Sequence, residues 1–279
     1  MLRRSKGFSL VEVLVAIGIL AILMGILIPS ISKVRAAAAT STCMNNQRQL
    51  VMAVIMFTRD HEDHLPNTGW SHGNTDNWAY SDAQPRTYVQ SEVERGQIWK
   101  YVNNYQAYRC PRDIGPWAGT SFNNLASFCL NGACTAYGGS VAVPAGSTNP
   151  SDFVGLSILR FKSEDVVFWE LCPTAGGTNG AGDGTNYPSE GVTARHKRGT
   201  VISHMDGHVD LLPADDTSGR ADPMVQTRDF IGFCNPNSAV NSVPNILYCD
   251  PTSTDAAGKP DGGLHKASGY AWPIKVQYE

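Results

Sequence analysis

The chain has 279 residues, and 42% of them are hydrophobic, which is enough to build the core of one or two domains. Lys and Arg number 22 against 25 Asp and Glu, a net charge of −3 with a charged fraction of 17%, so a disordered charged tail is excluded. No basic surplus exists to track a phosphate backbone, and no direct nucleic-acid partner is expected.

From Phe8 to Ile28 the sequence is apolar apart from one charge, Glu12. A helix of that length covers about 32 Å, the thickness of a bilayer core. Arg3, Arg4 and Lys6 precede it without an acid. The positive-inside rule therefore puts the amino terminus in the cytoplasm and residues 30–279 outside it, giving a single-pass membrane protein. Three readings compete for the segment: a cleaved secretory signal, an ordinary anchor and a filament-forming amino terminus. The apolar run is too long for a secretory signal, and Ala36 to Ala39, which could imitate a cleavage site, lie well past it. Glu12 argues against a plain anchor, since an acid in a spanning segment costs about 2.5 to 3.5 kcal/mol unless something compensates it. Snorkelling of Glu12 to the membrane edge is the structural alternative, since it lies only four residues into the apolar run.

The residues Lys6, Gly7, Phe8, Ser9, Leu10, Val11 and Glu12 resemble the type IV prepilin and type II secretion pseudopilin signature. The resemblance implies that a prepilin peptidase cuts after Gly7 and methylates the new terminal Phe8, and that Glu12 faces the amino terminus of a neighbouring subunit. Removing residues 1–7 strips three positive charges and leaves an α-amine on Phe8 close to the Glu12 carboxylate. Pairing Glu12 with the next subunit's amine would neutralise both groups and set the register of a stack. The helix dipole also favours an acid at this end.

Pro29 closes the apolar run and predicts a kink or a locally melted stretch. The resemblance implies that this stretch unwinds when the subunit leaves the bilayer for the filament. Residues 30–60 contain neither Gly nor Pro, and Leu50, Val51, Val54, Ile55 and Phe57 form a stripe near helical spacing that predicts packing on a β-sheet. Asn45, Asn46, Arg48 and Arg59 are expected on the opposite face, toward water or neighbours. The expected organisation is a leader over 1–7, a transmembrane helix over 8–28, an amphipathic continuation over 29–64 and an α+β head over 65–279 with an antiparallel sheet.

Most of the 27 Gly and 16 Pro residues lie in the head, which is expected to be loop-rich. The pattern predicts an amphipathic helix over 90–103, a strand over 105–110, loop over most of 113–149, and a buried strand over 165–171. Strands over 200–205 and 208–212 flank Asp206 and Gly207, the dipeptide that signals a two-residue hairpin. In such a hairpin His204 and His208 point to opposite faces, which weakens a zinc site built from His196, His204, Asp206, His208 and Asp210. Turn chemistry by Asp206 and hydrogen bonding by His196 is the structural alternative.

Asn179, Asp183, Gly184 and Glu190 fall on positions one, five, six and twelve of an EF-hand-like loop. Major pseudopilins as a family can hold Ca²⁺ in a carboxy-terminal loop, so the resemblance makes Ca²⁺ the one cofactor to consider. Ala181 fails position three, and a flexible loop is the alternative. Trp70, Trp78, Tyr80 and Trp117 lie in polar stretches, either as a stacking surface for a sugar-like ligand or as the cores of long loops.

The carboxy-terminal half also resembles a pilin-like subfamily marked by a His, nine residues, then Asp-Gly, here His196 to Asp206 and Gly207. Segments 43–50 and 108–113 look similar to it as well, and that resemblance implies a disulfide between Cys43 and Cys110. Seven cysteines outside the cytoplasm point to oxidising chemistry. Cys129 with Cys134 and Cys234 with Cys249 are pairs by proximity, leaving Cys172, although spacing alone leaves the connectivity open. No nucleophile elbow, phosphate loop or zinc-protease motif occurs, so no enzyme is expected. The expected function is a structural filament subunit, served by a prepilin peptidase, an assembly ATPase and an inner-membrane platform. The alternative is a membrane-anchored extracytoplasmic binding protein or hydrolase working as a monomer.

Overall fold

The computed structural model describes residues 9–68, 76–80, 89–113, 125–135, 154–170, 185–186, 195–196 and 199–213. The first element is α1, Leu10–Asp60, a helix of 51 residues. Its start is set by a capping box: Ser9 accepts from the Glu12 backbone N–H at 3.3 Å, and Glu12 accepts from the Ser9 N–H at 2.8 Å. Helical structure continues through Pro29, so the predicted melted stretch is absent here. The Ser32 hydroxyl donates to the Pro29 carbonyl at 2.9 Å, adding a local side-chain tie beside the missing proline N–H. At the far end Glu62 and Asp63 adopt left-handed φ values of 52° and 64°, and the Asp63 N–H caps the Thr58 carbonyl at 2.8 Å. The chain then turns into β1, His64–Pro66, which pairs antiparallel with β3, Val154–Ser157.

The predicted helix over 90–103 is two short ones, α2, Gln90–Val93, and α3, Trp99–Val102. They are separated at Gly96, whose α-carbon packs on the Ala79 and Tyr80 backbone, where a Cβ would lie 2.5 Å from the Ala79 carbonyl carbon. The expected strand over 105–110 is instead a 3-10 helix, Tyr105–Tyr108. Asn103 turns left-handed at φ 44°, and the Asn104 side chain caps the Gln106 N–H, so the chain enters a helical turn. Asn46, expected toward water, is buried and donates to the carbonyls of Gln106 at 2.9 Å and Arg109 at 2.7 Å.

The main sheet joins β2 (Phe128–Asn131), β4 (Val166–Glu170), β5 (Thr185–Asn186), β6 (Gly199–His204) and β7 (Val209–Pro213) in the order β5-β2-β4-β6-β7. Every pairing is antiparallel except β5 on β2, which is parallel. The strand over 165–171 is thus confirmed as β4, while β2 falls in a region expected to be loop. Leu50, Val51, Val54 and Phe57 of α1 are buried as the stripe predicts, with α1 packed on β6 and β7. Trp78 is fully buried, stacked on Tyr108 at 5.9 Å and edge-on to Phe168 at 4.9 Å, and Tyr80 is buried too. These two aromatics are loop core and offer no stacking surface to a ligand.

Candidate functional site

Among the described residues, nothing covers the first, apolar half of α1. An 18-residue window of mean hydropathy 2.9 is 0% buried, and Leu10, Ile22, Ile26 and Ile28 are each at least two-thirds exposed. Apolar surface of this extent is stable in water only when lipid or another helix covers it. Glu12 is the acid at the tip of this rod. Its carboxylate reaches back to the Ser9 backbone, so its charge sits at the positive end of the helix dipole beside the expected cut. Gly7 and Phe8 lie outside the described residues.

A second constellation forms where α1 meets the head. Cys43 on α1, Cys110 after the 3-10 turn, Glu170 at the end of β4 and His196 before β6 are all buried, and their donor atoms lie within 4.8 Å of one another. The Cys43 thiol donates to Glu170 Oε1 at 3.5 Å, Cys110 Sγ lies 3.2 Å from His196 Nε2, and that nitrogen is 3.1 Å from Glu170 Oε1. Around them, Thr40 Oγ1 meets His196 Nδ1 at 3.0 Å, and the Val201 N–H donates to Glu170 Oε2 at 2.9 Å. Arg195 bridges Asp113 at 3.0 Å and Glu170 Oε1 at 3.9 Å.

The charges in this pocket are mutually stabilised. Burial alone would raise the Glu170 carboxyl, but hydrogen bonding and charge from His196, with Arg195, hold it below the usual range. Burial likewise opposes charge on His196, and hydrogen bonds to Cys110 and Glu170 overcome it, lifting the imidazole to about 9. Of the two thiols Cys110 ionises first: the hydrogen bond from Cys43 brings it down to about 7, while burial pushes Cys43 well up. In this structure Cys43, Cys110, Cys129 and Cys134 carry free thiols. Cys129 points at the Trp169 carbonyl across the strand pair, at 3.5 Å.

The hairpin differs from the expectation in its loop. His204 and His208 face each other: the His204 N–H donates to the His208 carbonyl at 3.0 Å, and the Gly207 N–H to the His204 carbonyl at 2.9 Å. The loop therefore has three residues, 205–207, with Gly207 at φ 91°. One added residue brings both histidines to one face, their rings stacked at 3.8 Å with Asp210 Oδ2 within 3.7 Å of His204 and 3.4 Å of His208. Asp206 does the expected turn work, accepting from the His208 N–H at 2.9 Å and contacting its ring. His196 does not join this group; its ring partners are Thr40, Cys110 and Glu170.

Sequence reasoning overlooked Glu170, Arg195, Thr40 and Asp113. The one available signal was the acid ending an otherwise apolar β-branched and aromatic strand, a position that demands a buried partner. The Ca²⁺ candidates Asn179, Asp183 and Glu190 lie outside the described residues, as do Trp70, Trp117, Cys172, Cys234 and Cys249.

Comparison with known proteins finds one relevant family model, the prokaryotic N-terminal methylation motif, over residues 2–28. No curated protein and no solved structure matches the chain. The motif covers the basic leader, the cut and the apolar run, and the same run is the exposed half of α1. Joined to a long amino-terminal helix and an antiparallel head sheet, that motif supports a type IV pilin-like or pseudopilin-like protein.

Proposed function

We propose that the chain is a structural subunit of a type IV pilus-like or type II secretion pseudopilus filament. In this reading the peptidase cuts after Gly7, the subunit waits in the inner membrane with its amino terminus cytoplasmic, and an assembly ATPase and platform add it to a staggered stack. The observation that carries the reading is the wholly uncovered apolar half of α1 with a single acid at its tip, joined to the methylation motif over the same residues. Transfer from lipid to neighbouring helices keeps that surface out of water at every stage. It also lets the Glu12 carboxylate exchange its intrahelical contact for the amine of the next subunit.

The chemistry of the terminus tests the first step. Mass spectrometry of the mature protein is expected to find N-methyl-Phe8 at the amino terminus. An intact Met1, or a terminus near Ala39, would point to the monomeric anchored protein instead.

A further inference from the structure

We infer that Cys43, Cys110, Glu170 and His196 form a tetrahedral site for a borderline-soft divalent cation, zinc above all, which staples the helical spine to the head. The site does not depend on filament assembly. Four donors around zinc, at about 2.3 Å for sulfur and 2.0 to 2.2 Å for nitrogen and oxygen, stand about 3.3 to 3.8 Å apart on a tetrahedron. Three edges of the cluster are 3.5 Å for Cys43 Sγ to Glu170 Oε1, 3.1 Å for Glu170 Oε1 to His196 Nε2, and 3.2 Å for His196 Nε2 to Cys110 Sγ. These three edges depart from the ideal by a few tenths of an ångström, and all four donor atoms lie within 4.8 Å of one another, so side-chain shifts of that order would close them on an ion. Two thiolates, one imidazole and one carboxylate form a donor set suited to zinc, whereas Ca²⁺ and Mg²⁺ take oxygen alone.

The surroundings are those of a ligand set held in place. Thr40 Oγ1 donates to the Ala36 carbonyl at 3.0 Å and lies 3.0 Å from His196 Nδ1, where it can accept the ring proton and leave Nε2 free to ligate. The Val201 N–H fixes the second carboxylate oxygen of Glu170 at 2.9 Å, turning Oε1 inward. Two thiolates, a carboxylate and a dication leave one net negative charge, and Arg195, paired with Asp113 at 3.0 Å, stands 3.9 Å from Oε1 beside it. A surface cleft lined by Thr42, Asn46, Gln106, Pro111 and Asp113 reaches Cys110 and gives an ion a way in.

A disulfide is the competing fate of the two sulfurs. It would engage Cys43 and Cys110 only, and would give no role to a carboxylate and an imidazole both placed against them. Zinc uses all four groups, drawn from α1, the segment after the 3-10 turn, β4 and the stretch before β6. On binding, the remaining thiol protons and the His196 Nε2 proton leave to solvent, and no electron is transferred.

The full-length chain, purified in detergent and reduced, is expected to retain or take up one zinc per chain by elemental analysis. Cobalt in its place should give the intense visible absorption of a tetrahedral site and a thiolate-to-cobalt charge-transfer band. Cys110→Ser should cut that band to about half, since the Cys43 thiolate remains, the double Cys43→Ser/Cys110→Ser variant should lose it, and Glu170→Gln should weaken zinc binding by tenfold or more while circular dichroism stays native. The unsubstituted protein alone can overturn the proposal. Failure to hold zinc after incubation with one equivalent, an octahedral cobalt spectrum, or a Cys43 to Cys110 disulfide peptide as the main species in a non-reducing digest of isolated material would each do so.

Discussion

Gly96 has no room for a side chain, because a Cβ there would lie 2.5 to 2.7 Å from backbone atoms of Ala79 and Tyr80. Backbone cannot swing aside as a flexible side chain can, so Gly96→Ala should cost about 1 to 3 kcal/mol, read as a lower midpoint in chemical or thermal unfolding. His204 carries a different kind of sensitivity. Burial, reinforced by the neighbouring His208, holds its imidazole below the ordinary 6.5, against opposing pulls from the Glu164 carbonyl and from Asp210 and Asp206. The unfolded chain therefore takes up a proton more readily than the folded one. The resulting stability is present in full above about pH 6.5 and declines as pH falls from there through the folded-state value. Melting between about pH 7.5 and 5.5 should show a drop that His204→Gln reduces.

At the scale of elements, α1 serves two environments along one rod. Its second half is amphipathic against the sheet, and Asn46 pins the 3-10 turn to it through two carbonyls. Asn46→Ala leaves both acceptors without that donor and should destabilise by about 1 to 3 kcal/mol, measurable by denaturant titration. The helix stripe, β4 and the β6 to β7 hairpin were legible in the sequence because each is written in local periodicity, composition or turn chemistry. The 3-10 turn was not, since Tyr105 to Cys110 alternates plausibly as a strand and only the Asn103 and Asn104 backbone geometry overrides it. The hairpin loop shows the same limit. An Asp-Gly pair fits a two-residue or a three-residue loop, and the choice decides whether two histidines share a face.

For the whole molecule, the apolar half of α1 and the buried head answer to different surroundings, and Glu12 is the one acid at the tip of the first. Glu12→Val should insert in the membrane at least as well as the parent, since it removes an acid that costs about 2.5 to 3.5 kcal/mol in lipid, yet yield several-fold fewer sheared filaments. Undiminished filaments would remove Glu12 from register setting. The candidate zinc site belongs to this scale too, because it joins residues 43, 110, 170 and 196, which no spacing rule connects.

The amino-acid sequence by itself determined the membrane-length rod and the sheet-facing stripe, because each depends on contiguous residues and on the transfer of apolar side chains out of water. Only the tertiary structure decided that Trp78 and Tyr80 are core, that Cys43 and Cys110 meet as free thiols, and that Glu170 and His196 close around them. Those outcomes rest on distant segments sharing one low-dielectric space, where a polar group is tolerable only beside the partner that packing delivers.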